Sequence, residues 1–137
     1  SMEERQIFLL LSQKGIDNVN LEMLPFEKRK EIYESYGDIF KDQKGRDTSY
    51  IALKAYLKSS SLEKFKQKLI SEIDYGARNK NLKYCYYCAM LLDNNEMASY
   101  FEQFITECPD KDSDYNRFYF GLKEEIDKIK NGIDNKI

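Results

Sequence analysis

The apolar residues of this chain recur at helical spacing, and no stretch sustains the alternation of apolar and polar residues that marks a half-buried strand. The breaks between these periodic stretches contain Gly15, Gly45 and Gly132 and both prolines, Pro25 and Pro109. Because glycine and proline end helices more readily than they continue them, the pattern predicts an all-α fold of about seven helices.

The predicted helices begin at residues that can cap a helix or occupy its first turn. The first helix is predicted over residues 3–14. Candidates for the starts of the following six are, in order, Pro25, Asp47 or Thr48, Ser60, Asn81, Asn94 and Ser113. Ser60 precedes Glu63 at the spacing of a capping box. The apolar stripe of the sixth helix runs on to Cys108, so this helix is predicted to continue up to Pro109.

The second, fourth and sixth helices begin at intervals of about 34 residues, and so do the third, fifth and seventh. A helical hairpin of this size cannot bury both of its faces alone, which is why such units stack. The recurrence therefore predicts one helical domain, over residues 2–137, made of successive hairpins. Its predicted parts are an N-terminal helix and linker (2–24), two repeats (25–59 and 60–93) and a third repeat with a capping helix (94–134).

Charge and composition argue against several classes of function. The formal net charge is −2, which offers no broad positive surface to a nucleic acid or an anionic membrane. The chain contains no histidine, a common general base and zinc ligand, and no glycine-rich phosphate loop or G-x-S-x-G nucleophile motif. We therefore expect a non-catalytic protein without a cofactor. An odd number of cysteines and the lack of a long apolar segment predict a cytoplasmic location.

The second predicted helix carries a repeat motif. A spacing of aromatic-x₂-aromatic-Gly-x₂-aromatic is formed there by Tyr33, Tyr36, Gly37 and Phe40. This is the spacing of the W-x₂-L-G-x₂-Y pattern, so the chain resembles the tetratricopeptide repeat family, with a good motif match in the first unit only. The resemblance implies a short right-handed α-solenoid, and a compact helical bundle is the alternative. Gly37 is expected to let the third helix approach closely enough for Ala52 to touch it.

The resemblance also implies a binding module that holds a peptide or a helix of a partner in a concave groove, lined by the first helix of each pair. The candidates for this groove are five acids at its rim and one aromatic contact. They are Glu31, Glu34, Asp38, Glu72 and Asp74, with Tyr75 as the aromatic residue. The acids predict a basic or amphipathic partner segment, because Glu34 and Asp38 would repel a C-terminal carboxylate. The alternative is that they are ordinary solvated residues of helix surfaces.

The segment KYCYYCAMLL places Cys85 and Cys88 close together within the fifth predicted helix. Their position on an apolar face predicts that both thiols pack in the core. The alternative is a redox-sensing or metal-binding regulatory domain. A metal site of that kind would use Cys108 as a third ligand and Glu107 or Asp110 as a fourth.

The same segment contains three tyrosines that point nearly all the way round a helix, namely Tyr84, Tyr86 and Tyr87. We therefore expect at least one of them to face outward or into a neighbouring unit. An exposed tyrosine there would be a candidate contact for a partner, and packing in the core is the alternative.

Overall fold

The computed structural model describes residues 2–106 and 112–132. Within these ranges it contains seven α-helices, one 3-10 turn and no strand, so the all-α prediction is confirmed. The helices are α1 (Met2–Lys14), α2 (Phe26–Phe40), α3 (Arg46–Lys58), α4 (Leu62–Arg78), α5 (Leu82–Leu91), α6 (Asn95–Glu102) and α7 (Asn116–Lys130), and the 3-10 turn (Ile16–Asn18) lies between α1 and α2.

Two predicted features of the helix ends are wrong. The sixth helix ends at Glu102, where the backbone hydrogen bonds change to the three-residue spacing of a 3-10 turn. Pro109 lies outside the described residues. The capping box at Ser60 does not form, because Ser60 has a φ of 55° and the N-cap of α4 is Ser61. The Ser61 hydroxyl makes no capping bond and instead donates to the Glu34 carboxylate of α2 at 2.6 Å.

The three connections from α3 to α6 share one backbone geometry. Each contains a single residue in the left-handed region, and none of these residues is glycine: Ser60, Lys80 and Asp93. The N–H group of the following residue donates to the carbonyl five positions back, at 2.8, 2.8 and 3.1 Å, which is the Schellman pattern of a helix end. In the last two connections the residue that follows the left-handed one is Asn81 or Asn94, and its side chain caps the next helix, as predicted.

The central turns of two helices are buried on all sides. Residues 52–57 of α3 and 84–89 of α5 form unbroken buried runs, because neighbouring helices cover every face. α2 packs against α3, α3 against α4, and α5 against both α4 and α6, while α7 returns to cover α3 and α5. None of the three tyrosines of the fifth helix faces outward, since Tyr84, Tyr86 and Tyr87 are at most 8% exposed. Tyr84 and Tyr87 pack instead against Tyr115 at the start of α7, which agrees with the expected contact with a neighbouring unit and with the alternative of core packing.

The close approach expected at Gly37 is confirmed, and the atoms nearest to it belong to Tyr56 and Ala55. A Cβ atom at Gly37 would lie 2.8 Å from the ring of Tyr56 and 3.3 Å from the Cβ atom of Ala55. The missing side chain therefore makes room for the Tyr56 ring, whose hydroxyl reaches past Gly37 to donate to Asp38 at 2.7 Å.

A charged cluster around Asp17 of the 3-10 turn fastens α7 to α3. The Asp17 carboxylate lies 2.6 Å from the Lys54 ammonium and 3.1 Å from the Arg117 guanidinium of α7, and it accepts a bond from the Tyr50 hydroxyl at 3.0 Å. Gly121 of α7 lies against the Tyr50 ring, where any side chain would collide. Burial alone would raise the pKa of Asp17, but its three partners outweigh burial and lower it.

The left-handed connections predict that Lys80→Gly stabilises the protein. Lys80 is exposed, and its side chain makes a φ of 59° unfavourable. We expect the free energy of unfolding to rise by about 0.5–1 kcal/mol, measured by urea denaturation. Ala77→Gly, within α4, is the control and should lower stability by a similar amount. A loss of stability in Lys80→Gly would contradict this account of the connection.

The cluster at Asp17 predicts that the stability of the protein depends on pH in the acid range. A carboxyl group whose pKa is lowered by folding stabilises the protein above its ordinary pKa of 3.8, and this stabilisation is lost as the pH falls through the lower folded pKa. Asp17→Asn should therefore cost about 1–2 kcal/mol at neutral pH, and the difference from the original chain should shrink below pH 3.8. Asp74→Asn, at an exposed ion pair, should change stability little at any pH. A constant difference across the acid range would argue against the cluster.

Candidate functional site

Two of the predicted rim acids pair with the same lysine. The Lys64 ammonium of α4 lies 3.1 Å from the Glu34 carboxylate and 3.0 Å from that of Asp38. Hydrogen bonds from the Ser61 hydroxyl and from Lys64 lower the pKa of Glu34. Burial tends to raise the pKa of Asp38, but bonds from Tyr56 and Lys64 lower it overall. Both acids are therefore ionised and paired within the protein, which reduces their attraction for a basic segment.

The rim position predicted for Glu72 is wrong, because its side chain is fully buried. Its carboxylate accepts hydrogen bonds from the Gly45 N–H at 2.9 Å, the Ser49 hydroxyl at 2.5 Å and the Tyr84 hydroxyl at 2.7 Å. The Lys68 ammonium lies 3.3 Å from its second oxygen. Glu72 thus satisfies polar groups of four chain segments in the core and is out of reach of a partner.

The remaining candidates lie on the surfaces of α2 and α4. Glu31 and Asp74 are exposed, and Asp74 pairs with Arg78 one turn further along α4 at 3.0 Å. Tyr75 is half-buried against the core. A binding role for these three residues stays a prediction.

The core position predicted for Cys85 and Cys88 is confirmed, since neither side chain is exposed. The Cys85 thiol donates to the carbonyl of Ile73 at 3.3 Å. Burial raises the pKa of both thiols, and the nearby Glu72 carboxylate adds to this effect at Cys88. Cys108 lies outside the described residues, and no group of three potential ligands for a metal occurs within 2–106 and 112–132. The two described thiols are therefore held in a protonated, unreactive form.

An apolar groove of about 360 Å³ lies where α3 and α5 end, α4 begins and the last turns of α7 cross them. Its apolar lining consists of Leu57, Leu62, Phe65, Leu91, Leu92, Ile126 and Ile129. Leu62 is 41% exposed, whereas Leu57 forms part of the buried floor. Sequence analysis missed this groove, because its residues have the spacing of ordinary core stripes and meet only when α7 packs on the earlier helices.

The edge of the apolar groove is charged. Lys66, Asp93 and Lys130 line it, and all three are exposed. Neither lysine forms an ion pair with any residue that the structure describes. The groove thus combines an apolar floor with a small excess of uncompensated positive charge.

Comparison with family models, curated proteins and solved structures gave no match. The likeness to tetratricopeptide repeats therefore rests on the motif in α2. None of the described helices is long and apolar enough to cross a lipid bilayer.

Burial of the two thiols predicts that they resist alkylation in the native protein. In a Cys108→Ser background, iodoacetamide should modify neither Cys85 nor Cys88 until the chain is denatured, as followed by mass spectrometry. Adding Ser99→Cys, at an exposed position of α6, gives a matched variant that should react at the rate of a free thiol. Rapid native alkylation without Ser99→Cys would instead favour the redox-sensing alternative.

Proposed function

We propose that this chain is a non-catalytic protein-interaction module built of tetratricopeptide-like helical hairpins, which binds an amphipathic segment of a partner protein in the apolar groove. The observation that carries this proposal is the groove itself. Leu62, Phe65 and Ile129 present an apolar surface at the meeting point of four helices, where a partner's apolar side chains can be desolvated. Grooves of this kind receive the apolar face of a helix or an extended peptide.

The charge at the groove edge selects the chemistry of the partner. Lys66 and Lys130 are exposed and without ion pairs in the described part of the chain, so acidic residues beside the apolar face of the partner would complement them. This differs from the basic segment predicted for the α2 surface. There the Lys64 ammonium already pairs with both Glu34 and Asp38, which lowers their attraction for a basic segment.

The packing of the helices has features of both a stack of hairpins and a compact bundle. The α2–α3 and α4–α5 pairs follow one another as hairpins, and Gly37 allows the close packing expected in the first repeat. α7 also packs on α3, although a strictly linear stack brings only neighbouring repeats into contact. This return of α7 is a feature of a compact bundle, and it supplies one wall of the apolar groove in either arrangement.

Several observations favour binding over catalysis. The chain contains no histidine, and Cys85 and Cys88 are buried with raised pKa values. Free thiols in the core are also compatible with the reducing cytoplasm predicted as the location. We infer that the protein acts as part of a regulatory or adaptor assembly.

The groove can be tested with a labelled amphipathic peptide that carries leucines at i, i+3, i+4 and i+7 and glutamates beside them. Leu62→Glu should weaken its binding by about tenfold or more in fluorescence anisotropy. Ile70→Glu is the matched control, because Ile70 is also an exposed apolar residue of α4 but lies outside the groove. It should leave binding unchanged, as should the double variant Glu34→Lys and Asp38→Lys.

A second peptide, with lysines in place of the glutamates, tests the charge of the partner. It should bind more weakly than the first, because Lys66 and Lys130 repel it. Three results would count against the groove. The first is an equal loss of peptide affinity in the Leu62 and Ile70 variants. The others are tighter binding of the lysine peptide and no binding of either peptide. Circular dichroism confirms that every variant is folded.

A further inference from the structure

A second, charged cavity lies beyond the apolar groove, on the α2 side of α7. It has a volume of about 210 Å³ and is enclosed by residues 19–22, the first turns of α2, the end of α3 and the second half of α7. Phe26 and Tyr33 of α2 line it with their aromatic rings, and Arg29 of the same helix also lines it. Four separate chain segments therefore build this cavity, and none of its charged residues was predicted from the sequence to form a site.

One carboxylate in the cavity is already compensated. The Glu125 side chain is only 3% exposed, and its Oε1 atom lies 3.1 Å from the Lys58 ammonium and 3.6 Å from that of Lys128. Two lysines thus share one buried carboxylate, and Lys128 pairs in addition with Glu124, a residue outside the cavity lining, at 4.0 Å. Lys58 also lies 5.6 Å from the centre of the Tyr33 ring, so it is held against the cavity wall.

Arg29 adds a further positive charge that the described residues leave uncompensated. Its Nε atom is buried without a hydrogen-bond partner, and its guanidinium forms no ion pair with any of them. The contact is instead with the Phe26 ring, whose centre lies 5.7 Å from the Arg29 Cζ atom. A guanidinium fork that lines a cavity and makes no ion pair is an arrangement that recognises carboxylates and phosphates.

The lining of the cavity contains three cations and two carboxylates. Glu22 is the second of these acids, and Glu124 compensates part of the charge of Lys128 from outside the lining, so Arg29 is the one cation of the lining without an ion pair among the described residues. Burial, together with the Glu125 carboxylate, raises the pKa of Tyr33 to about 12, so its hydroxyl stays neutral at physiological pH. The cavity is also below the roughly 300 Å³ typical of sites for drug-sized ligands, which limits the ligand to a small molecule or group.

We propose that this cavity binds a small organic oxyanion, a carboxylate or phosphate carried on a flat or apolar body, with Arg29 as the principal anion-binding residue. Lys58 and Lys128 lie beside it, paired with Glu125, while Phe26 and Tyr33 contact the body of the ligand. The proposal is independent of the peptide groove, because the two sites share no lining residue. Either can fail without affecting the other.

The experiment uses benzoate and phenyl phosphate as probes, with benzamide as the neutral counterpart of benzoate. Binding is followed at low salt by chemical-shift changes of the backbone amides in ¹H–¹⁵N spectra. Benzoate or phenyl phosphate should shift the amides around Arg29, Tyr33 and Lys58, whereas benzamide should not. The tighter of the two anions tells whether the site prefers a carboxylate or a phosphate.

Arg29→Gln should weaken the binding of the anions by about tenfold or more. It should change the melting temperature little, because it removes a charge that makes no ion pair with the described residues and loses only the contact with the Phe26 ring. Lys28→Gln, the preceding residue of α2 and outside this cavity, is the matched control and should bind normally. If Arg29→Gln does not fold, Arg29→Lys keeps the charge without the planar fork and should still bind more weakly.

Three results would overturn the proposal. The first is equal binding of benzoate and benzamide, since the charge would then play no part. The second is unchanged anion binding in a folded Arg29 variant. The third is the absence of amide shifts around the cavity with both anions.

Discussion

The fold depends on a buried carboxylate. Glu72 lies within α4, and a carboxylate removed from solvent must receive hydrogen bonds to remain there. Its four donors come from the α2–α3 connection, α3, α5 and its own helix, namely Gly45, Ser49, Tyr84 and Lys68. Any shift of one hairpin against the other would leave several polar groups unsatisfied at once. The carboxylate therefore sets the register in which the α2–α3 and α4–α5 hairpins pack.

Much of the fold could be predicted, because the helices obey local rules. Gly15, Gly45 and Gly132 adopt the positive φ values that end or precede helices, and the all-α class followed from such breaks. The connection at Ser60 could not be predicted in the same way. Its left-handed residue is not glycine, and the serine–glutamate spacing indicated a capping box that does not form. Packing between helices imposes this conformation against the local preference of the residue.

The candidate sites were harder to predict, because they depend on contacts between distant parts of the chain. The burial of Cys85 and Cys88 followed from the apolar face of one helix. The apolar groove and the charged cavity arise only when α7 lies against α3, and their residues look like core or surface positions in the sequence. Glu72 was predicted at the surface because charged residues are mostly exposed. Its burial could be predicted only from the hydrogen-bond partners that the fold brings around it.

The packing of α7 on α3 has a consequence for biosynthesis. The end of α7 leaves the ribosome about 70 residues after the end of α3, a delay of roughly 4–14 seconds at cellular rates of translation. Hairpins of earlier helices form in far less time than this. Until α7 emerges, the nascent protein keeps the Tyr50 face of α3 open to water and to chaperones. The packing of α7 on this face is thus the last folding step, and it completes both the apolar groove and the charged cavity.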